Sequence, residues 1–128
     1  MKLNLKRNFS TIFKIIIKSK KEWLPPKKSE ILIYESLSLK ALSPYLKNYS
    51  KYILHMRGEV INIPCFLLTL LKAHLGFSNL REIYTNKIIK FVQPRLIITF
   101  IDNSEPFYQI RVDNKKILKV SIQNGWRG

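Results

Sequence analysis

Three short polar clusters hold the residue types able to do chemistry, and each follows an apolar run. "LIITF" leads into Asp102, Asn103, Ser104 and Glu105. "KVSI" leads into Gln123, Asn124, Gly125, Trp126, Arg127 and Gly128, and "KYIL" leads into His55, Arg57 and Glu59. Carboxylates, amides, an imidazole and guanidinium groups at the carboxyl ends of strands are what a ligand site on a doubly wound sheet is made from. Parallel strands would bring all three clusters to one rim. Structural uses compete at each position. Asp102, Asn103 and Ser104 are also residues that cap a helix beginning near Glu105. Asn124-Gly125 is equally a plain turn pair supplying positive φ. His55 is a general base or a hydrogen-bonded strand-end residue, and Trp126 either stacks on a sugar or base or covers an interface. His74 reads as a polar residue near a helix C-terminus, and Cys65 as core packing.

Absences narrow the chemistry. No G-x-G-x-x-G follows the first long strand, and no Walker loop or G-x-S-x-G elbow occurs. One Cys and two distant His offer no zinc spacing, so neither a metal nor a cofactor is expected. The single Cys excludes an internal disulfide and fits a reducing compartment.

The elements that must position these clusters follow from periodicity. The chain has 128 residues, one domain's length, and 46% hydrophobic with 12% aromatic content excludes a disordered tail. Residues 1–24 place Leu5, Phe9, Ile12, Phe13 and Ile16 at helical spacing among lysines, predicting a basic amphipathic helix that ends before Pro25-Pro26. Such a helix packs on the domain edge or lies on an anionic membrane surface. Residues 25–128 read as one α/β domain. "SEILIYES" predicts a buried strand, "SLKALSPYLKNY" a short helix, and "KYILHMRGE" a second strand. "NIPCFLLTLLKAHLGF" predicts a helix with Leu67, Leu68, Leu70, Leu71 and Leu75 inside, and "SNLREIYTNKIIKFVQP" another. "RLIITFIDN" is the clearest strand and should be central, with Ile97, Ile98, Phe100 and Ile101 in core contact. A short helix near Glu105 and the strand "KILKVSIQNG" complete the chain. The order β-α-β-α-α-β-α-β predicts a Rossmann-like, doubly wound parallel sheet. Its last strand has no following helix to cover it, so the domain reads as truncated.

The formal net charge is +15, and residues 1–28 carry nine basic groups against one acid. Anionic partners come to mind, although 17 Lys against 6 Arg in an Ile- and Asn-rich chain is also what AT-rich coding gives. Outside the first helix the basic residues are scattered, which speaks against nucleic acid. The N-terminus has no unbroken apolar run longer than Ile15 to Ile17, too short for a signal peptide, and no stretch approaches the ~20 apolar residues of a membrane span. A cytoplasmic protein, peripheral at most on the inner face of the membrane, is expected.

The stretches "LPPKKSEILIYES", "HMRGEVINIPCFLLTLL", "FVQPRLIITFIDNSEPFYQI" and "VSIQNGWRG" resemble the N-terminal half of bacterial surface carbohydrate biosynthesis proteins of capsule and O-antigen loci. These are similar to CDP-glycerol glycerophosphotransferases and other two-domain GT-B transferases. The resemblance covers roughly residues 24–128. It implies an acceptor-side domain, a nucleotide-activated sugar or polyol donor bound mainly by a second domain, and a polysaccharide or lipid-linked acceptor. In those relatives a Trp-His-Gly turn supplies a basic His; here the turn reads Asn124-Gly125-Trp126-Arg127-Gly128 without one. Asp102 on the neighbouring strand is then the candidate catalytic base. Arg127 would pair with a phosphate or carboxylate, and Asn103, Gln123, Asn124, Gly125 and Arg57 would orient substrate oxygens. On this reading the 128 residues are an N-terminal fragment, inactive alone. The alternative is a small basic α/β module binding nucleic acid or acidic lipid without catalysis.

Overall fold

Ile31–Tyr34 is apolar at every position because the strand is covered on both faces, and all four side chains are buried. The computed structural model describes residue 10 and residues 13–55, 59–74, 80–100, 105–110 and 116–122. A helix over 13–18 (α1) comes first. It is followed by β1 (Lys20–Glu22), β2 (Ile31–Tyr34), α2 (Leu37–Leu42) with a 3-10 turn, β3 (Lys51–Leu54) and β4 (Val60–Asn62). Then come α3 (Ile63–His74), α4 (Leu80–Val92), β5 (Leu96–Thr99), α5 (Glu105–Tyr108) and β6 (Leu118–Ser121).

Four strands form one parallel sheet in the order β3-β2-β5-β6. Ile33 pairs in register with Ile53 on one side and Ile98 on the other, and Ile98 pairs with Val120. Successive side chains point to opposite faces, so each strand serves two cores. Leu32, Tyr34 and Ile97 meet Ile88, Val92 and Phe107 on the face covered by α4 and α5. Ile31, Ile33 and Ile98 meet Leu42 of α2 on the other. The chain is thus a mixed α/β protein built on parallel sheets, the arrangement of a Rossmann-like fold. The expected central strand is β5, with Ile97 and Ile98 buried and Phe100 half-buried; Ile101 lies outside the described residues.

Three local expectations are corrected. The N-terminal helix stops at Ser19, whose amide donates to the Ile15 carbonyl and whose hydroxyl donates to that of Ile16. Lys20–Glu22, expected as helix, is a strand because β4 supplies a parallel partner, Lys20 opposite Val60. "KYILHMRGE" does not form one strand, since β3 ends at Leu54 and Val60 onward joins the small second sheet with β1. Third, Leu67, Leu68, Leu70 and Leu71 of α3 are exposed, while Cys65 and Thr69 of the same helix are buried. The leucines share one face of this helix, and its neighbours cover the opposite face, which carries Cys65 and Thr69.

Asn62 joins the two sheets. Its side-chain Nδ2 donates to Glu22 Oε2 and to the Leu24 carbonyl, and its backbone N–H donates to the Tyr84 hydroxyl of α4. Its Oδ1 accepts the Cys65 amide, capping α3. The Tyr52 hydroxyl of β3 donates to the same Glu22 oxygen at 2.7 Å. β1, β3, β4, α3 and α4 therefore meet at one fully hydrogen-bonded buried amide.

Candidate functional site at the carboxyl rim of the sheet

The chain leaves β2, builds β3 on one flank, and then crosses to place β5 on the other. The strand order reverses between β2 and β5. In open parallel sheets this reversal leaves a crevice outside the carboxyl ends of the strands. What lies there is set by how β2 turns into α2. Glu35 takes φ 71°, a left-handed conformation uncommon for a residue with a Cβ. That kink lets the Glu35 carbonyl accept from the Ser38 amide at 3.1 Å and start the helix at once. It also aims Ser38 at β5: its hydroxyl accepts from the Phe100 amide at 3.0 Å and lies 3.4 Å from Thr99 Oγ1. Ser38 and Thr99 are both buried and close the base of the crevice.

Above this base sits a titratable cluster. The Glu35 amide donates to the Leu54 carbonyl at 3.0 Å. Tyr34 and Leu54 are register partners, so Glu35 and His55 are the next residues on neighbouring strands. His55 Nδ1 lies 3.8 Å from Glu59 Oε2, an ion-pair distance too long for a hydrogen bond, and Glu59 Oε1 accepts from the Ser36 hydroxyl at 3.4 Å. Two atoms here, Glu35 Oε2 and His55 Nδ1, are buried without a hydrogen-bond partner among the described residues. Buried polar atoms are nearly always paired. A carboxylate oxygen after β2 and an imidazole nitrogen after the neighbouring β3 suit a ligand hydroxyl, which can donate to the first and donate to or accept from the second.

On the other side of the β2 end a cavity of about 300 Å³ lies between α4 and α5. Tyr34 forms part of its wall with Arg81, Glu82, Thr85, Asn86 and Gln109. Phe107 backs Tyr34 edge-on at 5.4 Å. Lys119 of β6 holds α5 in place by donating to the carbonyls of Phe107, Tyr108 and Ile110, with its ammonium 5.7 Å from the Phe107 ring centre. The cavity wall is mixed, with a guanidinium, a carboxylate, two amides and two hydroxyls, so it offers both donors and acceptors.

Asp102, Asn103, Gln123, Asn124, Gly125, Arg127 and Arg57 all lie outside the described residues, as do Ser104 and Trp126. The strands leading to them are described. β5 and β6 are adjacent and parallel, with Thr99 opposite Ser121, and β3 ends next to β2 on the same rim. His55 and Glu59 are brought together, and Cys65 is a buried core thiol. Sequence reasoning missed Glu35, Ser36 and Ser38. The signal was present, since "ILIY" is followed by Glu-Ser just as the other apolar runs are followed by polar residues. Among the described residues no three His, Cys, Asp or Glu could together hold a metal ion, and no helix is long and apolar enough to cross a membrane. Compared with known proteins, the chain matches no family model, no curated protein and no solved structure.

Proposed function

We propose that this chain is the acceptor-side domain of a GT-B-like glycosyl- or glycerophosphate-type transferase that builds bacterial surface polysaccharide. The acceptor hydroxyl is held at the carboxyl rim. The observation carrying this reading is a pair of buried polar atoms with no hydrogen bond among the described residues, Glu35 Oε2 and His55 Nδ1, at the carboxyl ends of the neighbouring strands β2 and β3. A polysaccharide or lipid-linked acceptor offers hydroxyl groups there. A base on the rim takes the hydroxyl proton. The oxygen bonds to the anomeric carbon of an activated sugar or to the phosphorus bearing an activated polyol, and the nucleoside diphosphate or monophosphate, respectively, leaves with the electrons of the broken bond. Asp102, two positions past the half-buried Phe100, is the proposed base, and His55, with its Glu59 partner, is the second candidate. Arg57 and Arg127 would face donor phosphates, with Asn103, Gln123, Asn124 and Gly125 positioning oxygens. The donor is nucleotide-activated and is held mainly by a second domain.

The test is transfer by this domain joined to its donor domain, with radiolabelled nucleotide-sugar or nucleotide-polyol donors. Asp102→Asn should leave the urea midpoint unchanged and lower the rate by roughly 10²–10⁴-fold, the usual worth of a positioned base. An Asp102→Asn, His55→Gln double variant that transfers at the parental rate ends the reading. So does a domain pair that folds and transfers nothing with any donor of this class.

A further inference from the structure

The segment 13–28 presents large apolar side chains to water in a setting of lysines. Phe13 is 65%, Ile17 63%, Trp23 71% and Leu24 76% exposed. Two of these lie on α1 and two just beyond β1, so the display does not depend on one helix. Lys14, Lys18, Lys20, Lys27 and Lys28 are exposed among them. The only acid of the segment, Glu22, is turned inward and accepts from Tyr52 and Asn62. The segment itself therefore shows basic charge alone. β1 is fixed to β4 and the Leu24 carbonyl to Asn62, so Trp23 and Leu24 are held out from a rigid support instead of trailing on a loose tail.

We infer that residues 13–28 dock this protein on a bilayer surface bearing anionic lipid headgroups. The lysines meet the negative surface potential, and Phe13, Ile17, Trp23 and Leu24 enter the interfacial layer, where tryptophan and aliphatic side chains are both at home. Charge complementarity selects an anionic occupant. The aliphatic half of the set selects lipid over nucleic acid, because Ile17 and Leu24 offer no face on which a base can stack and all five exposed basic groups are lysine. Docking is independent of the transferase reading and holds whether or not the rim performs chemistry.

The experiment uses the whole chain with Trp126→Phe, leaving Trp23 as the sole indole, since the sequence has 2 Trp. Vesicles of phosphatidylcholine alone and of phosphatidylcholine with phosphatidylglycerol are the probes. The expected result is a blue shift of Trp23 emission and protection from aqueous quencher with the anionic vesicles. Binding there should be on the order of tenfold or more tighter than to neutral vesicles and should weaken as salt rises. Trp126→Phe with Leu24→Ser and Ile17→Ser keeps every charge and should lose on the order of tenfold in affinity in co-sedimentation. Equal weak binding to both vesicle types, or undiminished binding by the serine variant, overturns the inference. It is also overturned if single-stranded RNA displaces the protein from vesicles and binds it tighter, or if Trp23 is already shielded in a lipid-free dimer seen by light scattering.

Discussion

Ser38 Oγ lies 3.4 Å from Thr99 Oγ1 and accepts the Phe100 amide at 3.0 Å, which ties the first turn of α2 to the carboxyl end of β5. One hydroxyl thus joins the two sides of the strand-order reversal. Ser38→Ala removes the acceptor and leaves the Phe100 N–H without it in a closed site. The variant should lose about 1–3 kcal/mol in urea denaturation. A change below a few tenths would mean that water substitutes for the hydroxyl.

Glu35 carries the backbone strain of the rim. A non-glycine residue at φ 71° costs on the order of 1 kcal/mol, which glycine escapes, and its Oε2 has no hydrogen bond among the described residues. Glu35→Gly should therefore hold or raise the urea midpoint while impairing acceptor use in the transfer assay. A loss of about 1 kcal/mol or more would make this carboxylate a structural group.

Lys119 governs α5 and with it one wall of the cavity. Its ammonium accounts for three carbonyl contacts at the end of a four-residue helix that has little stability of its own. Lys119→Met keeps the aliphatic stem over Phe107 and removes the donors. We expect hydrogen exchange at 107–110 to speed up by about tenfold while the amides of β2 and β5 keep their protection. Unchanged exchange at 107–110 would show that Phe107 burial alone holds the helix.

Alkaline pH should weaken the fold at the joint between the two sheets. Burial pushes the Cys65 thiol up from its ordinary 9.0 to about 11, and the Tyr84 phenol from 10.0 to about 12. The Tyr52 phenol is raised as well, by burial and then by its hydrogen bond to Glu22. In each case the native state keeps the proton and the unfolded chain releases it first. The associated stability is complete below the unfolded values, and it falls as pH rises through about 9 to about 12. Urea midpoints should be lower at about pH 11 than at about pH 8, and tyrosinate absorbance should rise together with the loss of helical circular dichroism. Equal midpoints would mean that these groups open to solvent before the fold gives way.

The sheet's inner strands were legible in the sequence because a strand buried on both faces needs an unbroken apolar run, and "ILIY" and "LIIT" are such runs. The α/β order was legible for a similar reason, since apolar period and helix punctuation are local properties. β1 was not. Its Lys-Lys-Glu sequence has no strand signature, and it exists through pairing with residues forty positions away, Lys20 with Val60. The exposed leucines of α3 were misplaced because a one-sided leucine stripe normally marks the covered face, whereas here the neighbours cover the opposite face with Cys65 and Thr69.

The rim divides in the same way. That polar residues follow each apolar run is written in the chain, and this pointed to the ends of β3, β5 and β6, with His55 and Glu59 among them. Which ends adjoin is a matter of strand order, fixed by helix packing across long sequence separations. Only the fold made β2 the neighbour of both β3 and β5, and so made Glu35, Ser36 and Ser38 part of the site. Local composition determined what kinds of groups the chain could offer. Tertiary packing determined which of them share a crevice, because nearness between strands depends on the order in which their buried faces find cover.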